Sequence, residues 1–340
     1  MKQVNWGIIG LGTIATKFAD AFKLSKNAKL LAVASKNQNK IKYFKEKFNI
    51  KDDYCFNNYE DLLKSKEIDI VYIALPNSLH FEWILKCIEN KKKILVEKPA
   101  VLNFKEIDIL KIKIGDIFFA EAFMYAYHPQ TLKVIDLLEK NKIGKLILME
   151  SNFGINIMTK KNFLGFTKKK LINKKSRVFN KDLGGGAILD LGCYPVSLST
   201  LIGLFNSDHV NKRIEVKNIQ KELGTTGVDI DAAADLHFQN GFKSSIRASF
   251  TENLGQKSFI KGTKGSIIIQ DTWTADKALV EIQSETTIEK IQIESEKNIY
   301  FYEIDAISKS VIDNKNKPEF PGINFDNTLI NTKILDEWLN

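Results

Sequence analysis

The N-terminal stretch of this chain constrains its fold more than any other part of the sequence. Residues 4–9 form an apolar run that predicts a buried strand, and residues 13–25 have the pattern of a helix. Between them, Gly10 permits a sharp turn and Gly12 leaves no side chain between backbone amides and a ligand. A strand, a glycine turn and a helix in this order predict a cradle for the pyrophosphate of a dinucleotide, because a helix N-terminus carries about half a positive elementary charge.

The first 122 residues alternate short apolar runs with helical patterns. Parallel strands that are covered on both faces have continuous apolar sequences, so this alternation predicts a doubly wound, parallel α/β sheet. Further predicted strands cover residues 29–35, a short segment near residue 54, and residues 68–75, 93–98 and 117–123.

The end of the second predicted strand bears on the choice of dinucleotide. It ends in Ser35 and Lys36, with Lys40 one helical turn further on. An acidic residue at this position binds the ribose 2′-hydroxyl of NAD, whereas a hydroxyl and two ammonium groups attract a 2′-phosphate. The sequence therefore favours NADP(H) over NAD(H). The alternative is that both lysines are ordinary surface residues of a lysine-rich chain.

Two other predicted strands place candidate residues at the carboxyl edge of the sheet. Open α/β sheets bind ligands at this edge. One strand stops at Pro76-Asn77, and His80 lies in the helix that follows; a plain helix-surface histidine is the alternative interpretation. Another strand ends at Lys98-Pro99, where proline restricts the preceding residue to an extended conformation and so aims the lysine side chain.

Beyond residue 122 the pattern changes to strands that follow one another without intervening helices. Asn240-Gly241 between two of them is typical of a two-residue hairpin turn. Consecutive strands of this kind predict a mostly antiparallel sheet. We therefore expect two domains: residues 1–122 for dinucleotide binding, and residues 123–340 for substrate binding and oligomerisation.

One long predicted helix, residues 183–202, interrupts the strands and carries Asp190 and Tyr194. These two residues are four apart and so share a helix face. Pro195 removes a backbone hydrogen bond and predicts a kink beside them. In the alternative interpretation, Asp190 is a helix cap and Tyr194 is a core residue.

The net charge of +9 raises the question of nucleic-acid binding. Lysine is spread along the whole chain, however, and the one dense basic cluster is residues 168–177, which ends in Arg177. A solvated loop is favoured there over an anion-binding loop, because charge runs usually face water. We expect no nucleic-acid partner.

The cysteines and the apolar runs indicate the cellular compartment of the protein. The 3 cysteines have no metal-type spacing, which indicates reduced thiols and no metal site. No apolar run approaches the roughly 18 residues needed to span a membrane, and no signal peptide pattern is present. We expect a cytoplasmic protein without a membrane partner.

Together these segments resemble the Gfo/Idh/MocA oxidoreductase family, in the branch of glucose-fructose oxidoreductase and dimeric dihydrodiol dehydrogenase. The motifs that carry the resemblance are residues 10–15, 34–36, 75–77 with His80, 97–99, 121–130, 184–195 and 262–266. The resemblance implies an N-terminal Rossmann domain and a C-terminal α+β domain with an open, mostly antiparallel sheet. We expect a homodimer or a higher homo-oligomer formed through that sheet.

The resemblance also implies roles for individual residues. The lysine of Glu-Lys-Pro assists catalysis beside the nicotinamide, which implies this role for Lys98, and the tyrosine of Asp-Leu-Gly-Cys-Tyr is the proposed acid/base, which implies Tyr194. We expect Tyr125, Arg177, Asp190 and Tyr194 to contact the substrate. The expected cofactor-binding residues are Gly10, Gly12, Thr13, Ile14, Ser35, Lys36, Lys40, Leu75, Pro76, Asn77, His80, Glu97 and Lys98.

The resemblance implies hydride transfer between a nicotinamide and a carbinol carbon of a small molecule: a sugar, polyol or cyclic diol. Ala126 departs from the pattern, since similar proteins usually have Arg there, and Lys36 stands where NADP-binding relatives usually have Arg. The alternatives are an imine or bilin-type reductase on the same scaffold, and a catalytically silent dinucleotide sensor that binds partner proteins.

Overall fold

A computed structural model of the protein describes residues 3–161, 167–205, 213–296 and 298–340. Its strands are β1 Val4–Ile9, β2 Ala28–Ala34, β3 Cys55–Phe56, β4 Ile70–Ile73, β5 Lys93–Glu97, β6 Phe119–Ala122, β7 Leu146–Gly154, β8 Thr159–Lys161, β9 Thr167–Lys169, β10 Ile214–Leu223, β11 Asp229–Phe238, β12 Lys243–Ser249, β13 Ser258–Gly262, β14 Ser266–Ile269, β15 Leu279–Gln283 and β16 Ile288–Gln292. Its α-helices are α1 Thr13–Ala21, α2 Gln38–Phe48, α3 Tyr59–Lys64, α4 Asn77–Glu89, α5 Phe104–Lys113, α6 Met124–Tyr127, α7 Pro129–Glu139, α8 Cys193–Gly203, α9 Tyr300–Ile312 and α10 Phe325–Leu339.

The chain folds into two compact units. The first comprises Met1–His128 and Glu296–Leu329, and the second comprises Pro129–Ser295 and Ile330–Asn340. The sequence groups everything after residue 122 into one domain, whereas the structure returns 296–329 to the first unit. The physical reason is burial: α9 packs against α1 and β1, and the indole N–H of Trp6 donates to Ser308 Oγ at 2.9 Å.

The sheet of the first unit is parallel and has the order β3-β2-β1-β4-β5-β6. The predicted doubly wound α/β fold is therefore confirmed. Strand order reverses beside β1, and a crevice opens at the carboxyl ends of the strands at such a point. Fully buried side chains such as Val71 and Ile73 of β4 fill the core, which explains why the strands are continuous apolar runs.

The sheet of the second unit has the order β10-β11-β12-β7-β13-β14-β15-β16. The predicted antiparallel character is confirmed, with one exception: β12 pairs with β7 in parallel. The hairpin predicted at Asn240-Gly241 joins β11 to β12, and Gly241 has a φ of +88°, which an L-residue rarely adopts. Alternate residues of β11 are buried, because α8 and its neighbours pack on one face of this sheet.

The helix predicted over residues 183–202 is shorter and less regular than expected. Gly186 has a φ of +117°, and a Cβ there would lie 2.3 Å from Asp229 Oδ1. Asp229 accepts a hydrogen bond from the Ile188 N–H at 2.6 Å, so this buried carboxylate defines where the helix starts. Ile188–Gly192 is π-helical, and the irregularity precedes Pro195.

The helical stretch Lys181–Gly203 is long and apolar enough to cross a membrane when length and composition alone are considered. The sequence predicts no apolar segment of this length, because Asp182, Asp190 and several glycines interrupt the apolar residues of this stretch. Its most apolar window is 94% buried inside the protein, as is ordinary for a core helix.

Candidate functional site

The glycine turn after β1 has the geometry of a phosphate cradle. Gly10 has a φ of +89°, and a Cβ there would lie 2.5 Å from the Ala74 carbonyl oxygen, so only glycine fits. Gly12 is the N-cap of α1, and a Cβ there would meet nothing within 4 Å. The N-terminus of α1 is therefore open to an anion.

A cavity of about 460 Å³ lies beside this turn, bounded by the first turns of α1 and α2. Its lining residues are Leu11, Gly12, Thr13, Thr16, Lys17, Asn37, Asn39, Lys40, Tyr43 and Phe44. Lys17 was not among the cofactor-binding residues expected from the sequence. It lies four residues after Thr13 on α1, and this spacing places both residues on the same helix face. None of the described lining residues is acidic.

The serine and lysines after β2 occupy different positions around this cavity. Ser35 is buried, and its hydroxyl accepts a hydrogen bond from the Asn37 N–H at 3.1 Å. Lys40 lines the cavity, whereas Lys36 is exposed and is not among the lining residues. Ser35 thus shapes the loop that presents Asn37 and Lys40.

His80 joins two loops at the carboxyl edge of the first sheet. It is 0% exposed, so the helix-surface interpretation is wrong. Its Nε2 lies 2.8 Å from the Leu75 carbonyl oxygen, and its Nδ1 lies 2.9 Å from the Pro99 carbonyl oxygen. His80 therefore ties the loop after β4 to the loop after β5; a direct contact with cofactor stays a prediction.

The Glu97-Lys98-Pro99 turn follows β5, and its Lys98–Pro99 peptide is cis. Glu97 accepts a hydrogen bond from the Tyr72 hydroxyl, and burial raises the pKa of Tyr72 well above its ordinary value. Lys98 is half-buried.

Two buried carboxyl groups interact with residues in or next to this turn: Glu121 accepts the Ala100 N–H, and Glu303 interacts electrostatically with Glu97. Neither was among the site residues expected from the sequence. Glu121, at the end of β6, is 3% exposed, and burial raises its pKa to about 7. Glu303 on α9 is fully buried, and its carboxyl oxygens have no hydrogen-bond partner among the described residues. Burial raises the pKa of Glu303 well above its ordinary value. An acidic residue inside an otherwise apolar run is the sequence signal for such groups.

In the second unit, Arg177 and Asp190 form an ion pair. Arg177 Nη2 lies 2.9 Å from Asp190 Oδ1, and the arginine side chain is 37% exposed. Asp190 is not the cap of its helix, since Asp229 accepts the N–H of Ile188. A guanidinium and a carboxylate on a partly open surface are groups that bind polyhydroxylated ligands.

Tyr194 lies just beyond the π-helical segment and is 7% exposed. Its ring packs edge-on against Phe153, with a centroid distance of 5.2 Å, and lies 5.5 Å from the ring of Trp273. The contacts with Phe153 and Trp273 fix the orientation of the Tyr194 ring. The prediction that Asp190 and Tyr194 share a helix face assumes α-helical spacing. Ile188–Gly192 is π-helical, so the shared face stays a prediction.

The remaining expected site residues lie in the first unit. Tyr125 and Ala126 are fully buried in α6, and Tyr125 contacts Phe123 edge-on. Asn77 is buried at the start of α4. Substrate contact by Tyr125 and cofactor contact by Asn77 stay predictions. Among the described residues, no group of three or more His, Cys, Asp or Glu is placed to hold a metal ion.

Two family models match the chain. One, described as an oxidoreductase family with an NAD-binding Rossmann fold, matches residues 4–113, and the Gfo/Idh/MocA C-terminal domain matches residues 131–268. The chain belongs to the Gfo/Idh/MocA oxidoreductase family. It is therefore an NAD(P)-dependent oxidoreductase, and the resemblance described from the motifs is confirmed.

Similar proteins have names that state a diol or a sugar as the substrate. The chain is 29% identical to a trans-1,2-dihydrobenzene-1,2-diol dehydrogenase of Xenopus tropicalis over 280 residues, which is 81% of this chain and 78% of the relative. The aldose-aldose oxidoreductase of Caulobacter crescentus superposes with a TM-score of 0.83 at 17% identity, covering 99% and 96% of the two chains.

A further structure of the same fold contains bound ligands. A 3-ketoreductase from Actinomadura kijaniata, solved with NADP and TDP-benzene, superposes with a TM-score of 0.79 at 21% identity, covering 98% of this chain and 96% of the other. At these identities the two superpositions show a shared fold.

Proposed function

We propose that this protein uses NADP(H) in preference to NAD(H) and exchanges a hydride with a carbinol carbon of a sugar, polyol or cyclic diol. The observation that carries the cofactor preference is the cavity of about 460 Å³, which Lys17 and Lys40 line and to which no described acidic residue contributes. Two ammonium groups there favour a 2′-phosphate, and a carboxylate would repel it.

The residues present fit a dinucleotide. The amides at the open N-terminus of α1 would bind its pyrophosphate, and Lys17, Asn37 and Lys40, which line the cavity, would hold the 2′-phosphate. When bound, the nicotinamide supplies or accepts the hydride. The Leu75-Pro76-Asn77 and Glu97-Lys98 loops, which His80 ties together, would hold the nicotinamide.

We assign the proton transfer to Tyr194. In the oxidising direction, the substrate hydroxyl proton passes to the Tyr194 oxygen as hydride leaves the same carbinol carbon; in the reducing direction, the phenol returns it. We expect the Lys98 ammonium to assist the reaction from beside the bound nicotinamide. Arg177 and Asp190 bind the substrate hydroxyl groups.

The cofactor preference is tested by binding. Lys40→Glu should weaken NADP(H) affinity by about 10- to 100-fold, the effect of losing a charge-assisted contact, and should leave NAD(H) affinity nearly unchanged. Fluorescence titration with both nucleotides measures this, and Lys23→Glu, an exposed residue outside the cavity, is the matched control. Equal affinity of the natural chain for both nucleotides contradicts the proposal.

A substrate panel tests the reaction class. Polyols, aldoses, cyclic diols and a cyclic imine are each followed by nicotinamide absorbance. Turnover of the imine alone replaces the carbinol assignment with an imine reductase. Binding of NADP(H) without turnover of any compound identifies a silent sensor.

We also propose a homodimer formed through the exposed face of the second sheet. On β12, alternate residues are buried and Lys243 and Ser245 are exposed. Charges of both signs lie across this face, including the Arg247–Asp231 pair. Light scattering at micromolar concentration should give a dimer mass, and a monomer contradicts the proposal. We propose in addition a cytoplasmic location, which cell fractionation tests: recovery in a membrane or secreted fraction contradicts it.

A further inference from the structure

A buried carboxyl group underlies the Glu97-Lys98-Pro99 turn. Glu121 pairs in register with Val96 across β5 and β6. Its Oε1 accepts the Ala100 N–H at 2.9 Å, and its Oε2 accepts the Thr328 hydroxyl at 2.7 Å. The carboxyl therefore binds the backbone two residues beyond Lys98 and has both of its oxygens occupied.

The charged and titratable groups around Glu121 come from each neighbouring element. From the turn after β5, the Lys98 ammonium lowers the pKa of Glu121 and the Glu97 carboxylate raises it. From α4, His80 binds the Pro99 carbonyl oxygen. From α9, Glu303 interacts electrostatically with Glu97, and α10 contributes the Thr328 hydroxyl. Among these groups, Lys98 contributes the ammonium that lowers the pKa of Glu121.

We propose that Glu121 is a positioning residue for Lys98: it holds the backbone of the turn and supplies the negative charge that keeps the lysine side chain an ammonium. The inference builds on the proposed role of Lys98 beside the nicotinamide. Burial raises the pKa of Glu121 to about 7, so its charge changes near neutral pH. Protonation of Glu121 removes the counter-charge while its contact with Ala100 is retained.

The test measures the reactivity of Lys98 in the protein without cofactor or substrate. An amine-acylating reagent modifies only the unprotonated lysine, and mass spectrometry of the Lys98 peptide gives the rate at each pH. In Glu121→Gln, the amide oxygen can accept the Ala100 N–H and the amide N–H can donate to the Thr328 hydroxyl oxygen, which reverses the direction of that second hydrogen bond. Glu121→Gln thus keeps the size of the side chain and removes its charge. It should raise the acylation rate about tenfold at a pH where Glu121 is ionised, since a nearby opposite charge is worth about one pKa unit or more.

Glu303→Gln is the matched control, because it exchanges another buried carboxyl for an amide at a side chain that makes no hydrogen bond to the Lys98 turn among the described residues. It should leave the acylation curve of Lys98 unchanged. If Glu121→Gln and Glu303→Gln both reproduce the natural curve, Glu121 has only a structural role and the proposal is overturned.

A second measurement covers the case in which Glu121→Gln fails to fold. Coupling between two charges is reciprocal, so Lys98→Met should raise the pH at which the buried carboxyl of Glu121 ionises. Infrared difference spectroscopy follows the carboxyl band through that pH range. An unchanged titration contradicts the proposal. Both readouts work without turnover, so failure of the proposed role of Lys98 beside the nicotinamide is a separate outcome.

Discussion

The two regions that carry the proposed reactive groups hold them by different means. In the first unit, the backbone around Lys98 is anchored by buried polar contacts: His80 binds the Pro99 carbonyl, and Glu121 binds the Ala100 N–H. In the second unit, the ring of Tyr194 is held by aromatic packing beyond a π-helical segment. The lysine region should therefore respond to changes of charge and pH, and the tyrosine region to changes of volume.

The largest effect should come from removing the Tyr194 hydroxyl. Tyr194→Phe keeps the ring contacts, so the fold and NADP(H) affinity should persist while kcat falls by about 100- to 10,000-fold, the contribution of positioned proton transfer. Steady-state kinetics and nucleotide titration measure the two quantities. Tyr302→Phe on α9 is the matched control, and unaltered turnover in Tyr194→Phe would assign that ring to packing alone.

Packing around Tyr194 is tested by Trp273→Ala. Trp273 is fully buried and its indole N–H donates to the Asn152 carbonyl at 3.1 Å. Loss of this side chain should lower the free energy of unfolding by about 3–5 kcal/mol, measured by urea denaturation. Trp273→Phe keeps an aromatic neighbour for Tyr194 and should recover much of the loss. A change below about 1 kcal/mol for Trp273→Ala argues against the packing account.

The lysine region is tested by the pH dependence of stability. The pKa of Glu121 is raised to about 7 in the folded state, above the value near 4.5 of an exposed glutamate. The folded protein therefore binds this proton more tightly than the unfolded chain, and stability falls as pH rises from about 4.5 to 7. This group accounts for about 3 kcal/mol of the decline.

Glu121→Gln has no proton to lose, so its unfolding free energy should decline less over the same pH window. Urea denaturation at several pH values measures the two slopes. Parallel curves for the natural chain and the variant mean that Glu121 keeps an ordinary pKa in the fold.

The smallest effect on stability should come from the Arg177–Asp190 pair. Because the arginine is 37% exposed, Arg177→Ala should change the free energy of unfolding by less than about 1 kcal/mol. If the pair binds substrate, KM should rise several-fold while Tm stays constant. Arg213→Ala, an exposed arginine paired with Glu215, is the control. A fall in Tm with an unchanged KM makes Arg177 structural.

Much of the candidate site was predictable because its residues lie next to strand ends. An apolar run followed by glycines or by Lys-Pro locates both the strand and the residues it presents, as at Gly10 and Lys98. The hairpin at Asn240-Gly241 was predictable for the same local reason. His80 was found as a candidate, but its burial between two carbonyl groups was not, because both partners come from other loops.

The sequence by itself determined the alternation of strands and helices in the first 122 residues, the glycine cradle and the two kinds of sheet, since each follows from the conformational preferences of neighbouring residues. Only the tertiary structure decided that residues 296–329 pack in the first unit, that Asp229 starts the helix of Tyr194, and that Glu121 lies under the Lys98 turn. These features join residues far apart in the chain through burial and hydrogen bonds, and local sequence patterns do not record such contacts.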